Sequence, residues 1–130
     1  MSRNKVFKLG ELFCGAGGFA EGAKQAGFRH VWAVDNHSDS CVSFEHNHKI
    51  KPYPMEIKKF TRKEHLKKLE KIDGLLFGFP CNDFSLVGKN RGLKGKLGAL
   101  YRHACKTLEY FKPKFFVAEN VTSIGSTGKK

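Results

Sequence analysis

The sequence has no long hydrophobic run. No stretch approaches the roughly 20 apolar residues that a membrane-spanning helix needs. The N-terminal residues 1–5 lead into a strand pattern and not into the apolar region of a signal peptide. We therefore expect a cytoplasmic protein with no membrane partner. An apolar content of 40% over 130 residues suffices for one hydrophobic core, and hence for one domain.

The sequence has no closely spaced pair of cysteines. The sequence contains four cysteines, namely Cys14, Cys41, Cys81 and Cys105. They form no C-x-x-C pair, which argues against a structural zinc site, and a cytoplasmic setting would keep them reduced. The pair His46-x-His48 has no third ligand nearby in the sequence. We predict no metal site, and we expect at most one reactive cysteine.

Acidic residues are few compared with basic ones. Lysine and arginine total 24 against 12 acidic residues, a formal net charge of +12. Such a surface favours polyanions, nucleic acid before anionic membranes. No acidic residue lies between Asp83 and Glu109, where Lys89, Arg91, Lys94 and Lys96 alternate with glycines in the pattern of a mobile phosphate-gripping loop. The basic run over residues 58–71 is expected to be a solvated helix face.

Apolar runs alternate with helical patterns along the chain. The predicted strands cover residues 6–13, 30–34, 55–57, 73–79 and 114–119. The first predicted helix covers residues 19–26, and the second begins at a cap formed by Ser38 or Asp39. The third runs from a capping box at Thr61–Glu64 to Ile72, and the fourth covers residues 100–111. A long loop is predicted over residues 80–98. Near-continuous apolar strands that alternate with helices indicate a parallel sheet covered on both faces. We predict a Rossmann-like α/β fold.

A glycine-rich turn follows the first predicted strand. Asp35 ends the second predicted strand, 20 residues after Gly15. Glycines let a ligand approach the backbone at a helix N-terminus, and an acid at this place can accept hydrogen bonds from a ribose diol. The pattern indicates a nucleoside cofactor, although Gly15-x-Gly17-x-x-Ala20 also fits a nicotinamide cofactor or a simple tight turn. Glu56, which ends the third predicted strand, is either an adenine contact or a solvated surface acid.

Cys81 and Glu119 each follow the end of a predicted strand. The turn-forming neighbours Pro80 and Asn82 favour an exposed thiol, the alternative being a small buried residue. The carboxyl ends of parallel strands share one edge of the sheet, so we expect Cys81 and Glu119 to converge. A thiolate nucleophile beside a proton-holding carboxyl group suits covalent addition to an electron-poor ring. An ion pair with a lysine is the alternative for Glu119.

Taken together, these motifs resemble those of the DNA (cytosine-5) methyltransferases. Phe13-Cys14-Gly15-Ala16-Gly17-Gly18 is similar to the F-x-G-x-G-G cofactor loop of that family. Gly78-Phe79-Pro80-Cys81-x-x-Phe84-Ser85 resembles its nucleophile motif, and Glu119-Asn120-Val121 resembles its E-N-V motif. The order and spacing of the motifs fit over nearly the whole chain. Three positions depart from the usual family pattern, namely Asn36, Asn82 and Leu97.

The resemblance implies S-adenosylmethionine as the cofactor, in place of a nicotinamide. It implies cofactor contacts from Phe13, Cys14, Gly15, Ala16, Gly17, Gly18, Asp35, Asn36, Glu56, Ile57, Pro80 and Leu100. In this arrangement Asp35 would hold the ribose hydroxyls, Glu56 and Ile57 would meet the adenine, and Leu100 would close over the cofactor.

The resemblance further implies methylation of C5 of cytosine in double-stranded DNA, in a restriction-modification setting. The target base would be flipped out of the duplex. Cys81 would add to C6, Glu119 would stabilise the proton at N3, and Asn120 would orient the site. Further DNA contacts are expected from Phe79, Ser85, Lys89 and Arg91. Binding to DNA would associate the protein with a bacterial nucleoid.

The sequence stops soon after Glu119-Asn120-Val121, whereas members of the family continue with a target-recognition region and further motifs. We expect residues 1–124 to form the N-terminal part of a catalytic domain and residues 125–130 to be a flexible tail. The chain would be an expressed fragment or the smaller subunit of a split enzyme, poorly active without a C-terminal remainder. A non-catalytic relic of the same fold is the alternative, and the joint presence of Cys81, Glu119 and the glycine turn favours the enzyme.

Overall fold

Five parallel strands form the framework of the molecule. The computed structural model describes residues 5–79 and 96–119. The strands are β1 (Lys8–Leu12), β2 (Arg29–Asp35), β3 (Tyr53–Pro54), β4 (Gly74–Gly78) and β5 (Phe115–Glu119). They pair in the order β3-β2-β1-β4-β5, and every pair is parallel. The predicted Rossmann-like α/β fold is confirmed.

Helices cover both faces of the sheet. They are α1 (Gly18–Gln25), α2 (Ser38–His48), α3 (Ile57–Phe60), α4 (Lys63–Leu66) and α5 (Lys96–Phe111). Helices α1 and α2 contribute Ala20 and Phe44 to one apolar cluster. Helices α3, α4 and α5 contribute Phe60, Leu66 and Ala104 to a larger cluster on the other face. None of the helices in the described part of the chain is long and apolar enough to cross a membrane.

Trp32 organises the larger of the two clusters. Its indole lies on Gly10 of the neighbouring strand, where a Cβ atom would overlap the ring. The rings of Phe60 and Phe111 pack against it at centroid distances of 5.4 and 5.5 Å. The indole Nε1 donates a hydrogen bond of 3.0 Å to the carbonyl oxygen of Glu70. One side chain therefore joins the sheet to α3, to the segment after α4 and to the end of α5.

Glu11 and His30 form a buried polar pair between β1 and β2, for which the sequence has no motif. Glu11 is only 1% exposed, and its Oε1 lies 2.6 Å from Nε2 of His30. Burial raises the pKa of Glu11, an effect that the hydrogen bond and the charge of His30 oppose. A buried carboxyl group needs such a partner because its desolvation would otherwise be costly.

The third strand lies two residues earlier than predicted. Strand β3 pairs with β2 through Tyr53 and Pro54. The N–H of Met55 then donates to the carbonyl oxygen of Asp35, the last residue of β2. No further residue of β2 remains for residues 55–57 to pair with, so the chain turns into α3. Glu56 consequently lies at the N-terminus of α3, where its side chain makes no capping hydrogen bond, and does not end a strand.

The capping box predicted at Thr61–Glu64 is wrong. The hydroxyl of Thr61 donates to the carbonyl oxygen of Ile57 at 3.0 Å, so it closes α3 and caps no later helix. Helix α4 begins after Arg62 with no side-chain cap and ends at Leu66. The helix expected from Thr61 to Ile72 is therefore only the short helix α4, and α3 precedes it, although Leu66 and Ile72 are buried in the core as their spacing suggested.

Two other helix boundaries differ from the prediction. Helix α5 begins at Lys96, so the predicted loop over residues 80–98 is wrong for its last three residues. Gly98 is buried within the first turn, where packing outweighs the low helix propensity of glycine. Helix α2 is capped by His37, whose ring accepts a hydrogen bond from the N–H of Ser40; the predicted caps Ser38 and Asp39 lie inside the helix.

Candidate active site

The predicted site residues that the structure describes lie at the carboxyl edge of the sheet. The strand order reverses between β1 and β4, which is where open α/β sheets bind their ligands. Phe13 follows β1 and Phe79 follows β4, and their ring centroids are 5.6 Å apart. The ring of Phe79 also contacts Phe77 and Tyr101, at 5.3 and 5.9 Å. The aromatic contact connects the glycine turn with the strand that leads to Cys81.

The glycine turn has a backbone conformation that few sequences adopt. Phe13, Gly15 and Gly17 all have positive φ angles, of 56, 55 and 104°. A positive φ in a bulky residue such as Phe13 is strained, and such strain is found mostly at functional sites. The N–H of Cys14 donates to the carbonyl oxygen of Val34 at 3.0 Å, and this bond ties the turn to β2. Gly18 begins α1, so the turn opens directly onto a helix N-terminus.

Asp35 holds the glycine turn from the neighbouring strand. Its Oδ2 accepts a hydrogen bond of 2.9 Å from the N–H of Gly15. Its Oδ1 accepts a bond of 2.8 Å from the N–H of His37. Each carboxylate oxygen keeps further acceptor capacity, which a ribose diol can use. The predicted ribose acid is thus also the residue that shapes the turn.

A cleft opens beside Asp35 at the same edge. The space between its walls, including the part that is open to solvent, is about 400 Å³. The lining residues are Phe13, Val34, Asp35, Asn36, Met55, Ile57 and Leu100. Five of the predicted cofactor contacts therefore meet here. Glu56 is exposed and does not line the cleft, although its neighbour Ile57 does.

His48 contacts the glycine turn, although the sequence offered no signal for this role. The imidazole Nε2 lies 3.0 Å from the carbonyl oxygen of Gly17 and donates a hydrogen bond to it. The same carbonyl oxygen accepts the N–H of Glu21 in the first turn of α1. The imidazole packs on Phe44 at 4.7 Å, and a Cβ atom at Gly17 would overlap His48. The end of α2 therefore supports the start of α1.

Two of the thiols near the cleft are unsuited to nucleophilic attack. Cys14 and Cys41 are both buried. Burial, followed by the charge of Glu11 for Cys14 and of Asp35 for Cys41, raises the pKa of each thiol. The Sγ of Cys41 also donates to the carbonyl oxygen of Asp35 at 3.6 Å. Both groups therefore remain protonated at neutral pH, whereas attack requires a thiolate.

Glu119 lies beside the end of β4. It pairs with Gly78 in the parallel ladder, and its carbonyl oxygen accepts the N–H of Phe79 at 3.3 Å. Its Oε1 lies over Gly78, only 2.8 Å from where a Cβ atom would stand. The missing side chain of Gly78 therefore makes room for this carboxyl group. Cys81 follows Gly78 by three residues in the sequence.

Several predicted site residues lie outside the described residues. They are Pro80, Cys81, Ser85, Lys89, Arg91 and Asn120. Within residues 5–79 and 96–119, no three His, Cys, Asp or Glu side chains form a group that could hold a metal ion.

The family model for C-5 cytosine-specific DNA methylases matches residues 7–130. The chain belongs to this family. It is 37% identical to the type II methyltransferase M.BbvI of Brevibacillus brevis, over 95% of this chain and 37% of the relative. It is 38% identical to the type II methyltransferase M.NgoFVII of Neisseria gonorrhoeae, over 99% of this chain and 34% of the relative.

The fold is also similar to that of a solved structure. A DNA modification methyltransferase encoded within a prophage of E. coli superposes with a TM-score of 0.72 and 27% sequence identity. The match covers 92% of this chain and 33% of that protein. The chain therefore has the fold of a DNA methyltransferase and spans about a third of the length of these relatives.

Proposed function

We propose that this chain carries the cofactor-binding and nucleophilic part of an enzyme that methylates C5 of cytosine in DNA, in a restriction-modification setting. One observation supports this most directly: the cofactor cleft and the Glu119 carboxyl group lie at the same edge of the sheet. The strand that leads to Cys81 lies next to Glu119. Membership of the C-5 cytosine-specific family agrees with this arrangement.

The cleft suits S-adenosylmethionine. Its walls are mainly apolar side chains, among them Phe13, Ile57 and Leu100, as the flat adenine of a nucleoside requires. Asp35 would accept hydrogen bonds from the ribose hydroxyls, and Asn36 and Glu56 would contact the adenosine at the rim. The open backbone of residues 14–18 would follow the methionine part. When bound, this cofactor supplies the methyl group that C5 receives.

The proposed chemistry uses Cys81 and Glu119 on a cytosine flipped out of the duplex. The Cys81 thiolate forms a bond to C6 while Glu119 holds a proton at N3, so the ring electrons shift toward C5 and make it nucleophilic. After C5 gains the methyl group, it loses its proton to a base supplied by the solvent. The C5–C6 double bond then forms again, and the bond to sulfur breaks. Asn120 orients the base during these steps.

The DNA contacts are proposed around the same edge. Phe79 and Pro80 would border the cytosine, and Ser85, Lys89 and Arg91 would hold the phosphates next to it. The side chain of Phe79 is partly buried against Phe13, so its position depends on the glycine turn. A shift in the cofactor site would therefore be transmitted to the base site.

We also propose that a C-terminal part acts with this chain, from the same gene or as a second subunit. The relatives are about three times as long as the matched segment. Among the described residues β5 pairs only with β4, and its apolar side chains Phe116 and Val117 are 55% and 44% exposed. An apolar strand of this kind is normally covered in a complete fold. We use the term complete enzyme for this chain together with that C-terminal part.

A covalent trap tests the proposal. In duplex DNA that contains 5-fluorocytosine, the fluorine at C5 cannot be lost as a proton is. The complete enzyme and its cofactor should therefore accumulate a protein–DNA adduct. Cys81→Ser should abolish this adduct, while the control Cys105→Ser on α5 should retain it. An adduct that survives Cys81→Ser would refute the assigned nucleophile. No adduct with the unsubstituted enzyme would favour the non-catalytic relic.

A further inference from the structure

The net charge of this chain is concentrated on one of its two helical layers. Residues 57–72 together with α5 hold ten basic and three acidic residues. Helices α1 and α2, on the other face of the sheet, hold one basic and three acidic residues. We call the first group the basic layer. A solvated protein surface usually mixes charges of both signs, so an excess of one sign on one face indicates a binding partner of the opposite charge.

The cations of the basic layer are exposed, and they outnumber its acidic residues. Its described exposed cations are Lys58, Lys59, Arg62, Lys63, Lys67, Lys68, Lys71, Arg102 and Lys106. Among the described residues, none of these nine side chains takes part in an ion pair. Arg102 and Lys106 are one helical turn apart in α5, a spacing at which like charges repel. A bound polyanion would relieve that repulsion.

The elements of the basic layer also form a groove. It lies between α4 and the second half of α5 and is open to solvent. Its lining residues are Lys63, Leu66, Lys106, Glu109, Tyr110 and Lys112. Three lysines and a tyrosine provide hydrogen-bond donors of the kind that contact phosphate oxygens.

His103 lies among the same charges. Thr61 gives its only hydroxyl hydrogen to the carbonyl oxygen of Ile57, so Nδ1 of His103 must donate to Thr61 Oγ1, at 2.9 Å. The neutral ring therefore keeps a lone pair on Nε2. Burial, then the positive charges of Lys106, Lys58 and Arg102, lower the pKa of His103. The side chains of α3 and α5 thus create one positive field at this residue.

The basic layer is continuous with the proposed active site. Lys58 follows Ile57 and Arg102 follows Leu100 by two residues, and both Ile57 and Leu100 line the cofactor cleft. A duplex that presents its base at the carboxyl edge therefore has this layer as a neighbour. We propose that the basic layer, centred on His103, contacts the DNA phosphate backbone beside the target site, as a second DNA surface outside the catalytic edge. This inference rests on the proposed function.

The salt dependence of DNA binding tests this proposal without cofactor or target sequence. The complete enzyme would be titrated with a labelled random-sequence duplex of about 30 base pairs at several salt concentrations. The triple variant Lys58→Gln, Arg102→Gln, Lys106→Gln should lower the slope of log Kd against log salt by about 3, close to one per lost phosphate contact. The control Lys24→Gln, Arg29→Gln, Lys51→Gln removes the same charge elsewhere and should leave the slope within about 0.5 of the parent.

Equal slopes for the two triple variants would overturn the proposal, because net charge alone would then explain the binding. The proposal would also be overturned if the triple variant of the basic layer kept the salt slope of the parent for DNA but lost binding to phosphatidylserine vesicles. A membrane would then be the partner. These results leave the Cys81 trap unaffected, so the two proposals fail separately.

A second measurement needs no variant in the basic layer. Phosphates near His103 would offset the surrounding positive charge, so the duplex should raise the pKa of His103 in an NMR titration of the complete enzyme. His46, exposed on α2, serves as the internal control and should not shift. A His103 titration that the duplex leaves unchanged would contradict a DNA contact at this surface.

Discussion

The imidazole of His48, the last residue of α2, donates a hydrogen bond to the carbonyl oxygen of Gly17, the residue that caps α1. The two residues are 31 positions apart in the sequence. Gly17 is thereby held from outside its own turn, while Asp35 holds Gly15 from β2 at 2.9 Å. Together with the bond from Cys14 to Val34, these contacts support the glycine turn at three points before any cofactor is bound.

Gly17→Ala should destabilise the complete enzyme. A Cβ atom would overlap His48, and an alanine at a φ of 104° is strained. We expect a loss of about 1–3 kcal/mol in the free energy of unfolding and weaker cofactor binding. The matched control is Gly22→Ala inside α1, where a Cβ atom meets nothing within 4 Å. This change should stabilise the enzyme by roughly 0.5–1 kcal/mol. Urea unfolding of both variants measures the difference, and equal effects would contradict the role of Gly17.

His48→Ala should weaken cofactor binding more than DNA binding. Loss of the bond leaves Gly17 without its support from α2, at a cost of about 1 kcal/mol, or roughly a fivefold higher Kd for S-adenosylmethionine. His48→Gln should recover part of this loss because its amide can also donate a hydrogen bond. Isothermal titration calorimetry gives the Kd, with His46→Ala as the exposed control. A loss that Gln fails to reduce would indicate packing on Phe44 and not the hydrogen bond.

Asp35→Asn should disrupt both the turn and the cofactor site. The amide keeps only one oxygen, whereas the carboxylate accepts bonds from Gly15 and His37 through two. We expect cofactor affinity to fall by a factor of about 10 or more, the effect of losing a charged hydrogen-bond acceptor. Asp39→Asn, on the exposed first turn of α2, is the control and should bind like the parent. Unchanged affinity in the Asp35 variant would remove it from the cofactor site.

Glu119→Gln should slow methyl transfer with little change in cofactor affinity. The amide retains the shape that fits over Gly78 but cannot hold the proton proposed for N3 of the base. General acid catalysis commonly contributes a factor of about 10²–10⁴, and we expect a loss of this order in single-turnover methylation. Glu45→Gln, on the exposed face of α2, should methylate at the normal rate. An active Glu119 variant would exclude the proposed proton-holding role.

Because of His103, the free energy of unfolding of the enzyme should decrease as the pH falls below neutrality. The folded pKa of His103 is lowered by burial and by neighbouring cations. The unfolded chain therefore takes up a proton first as the pH falls below about 6.5. The stabilising contribution of His103 is present above that pH and is lost as the pH falls through the folded pKa. His103→Gln should flatten this part of the stability profile, which thermal melts between pH 5 and 8 can measure; an equal acid-side decline in the variant would contradict it.

The chemistry-bearing motifs were predictable from the sequence because each is local. The turn at Gly15 and Gly17 is encoded in nearly consecutive residues, and Asp35 and Glu119 each end a short apolar run with the composition of a strand. Once the sheet is parallel, all such ends lie at one edge, so the convergence of Asp35 with the turn followed from topology.

Residue patterns were less reliable where two elements compete for the same short segment. Residues 55–57 have the composition of a strand, yet they lack a partner once β2 has ended at Asp35. The Thr61 hydroxyl matched a capping box, but it bonds back to Ile57 and across to His103. In both cases a contact with another element outweighed the local pattern.

The parallel α/β class and the glycine turn were evident from the residues alone, because continuous apolar strands and closely spaced glycines are local signals. The support of Gly17 by His48, the shared burial of Glu11 and His30, and the concentration of positive charge on one layer became evident only in the folded chain. These relations join residues far apart in the chain, and no periodicity or motif encodes a distance across the fold.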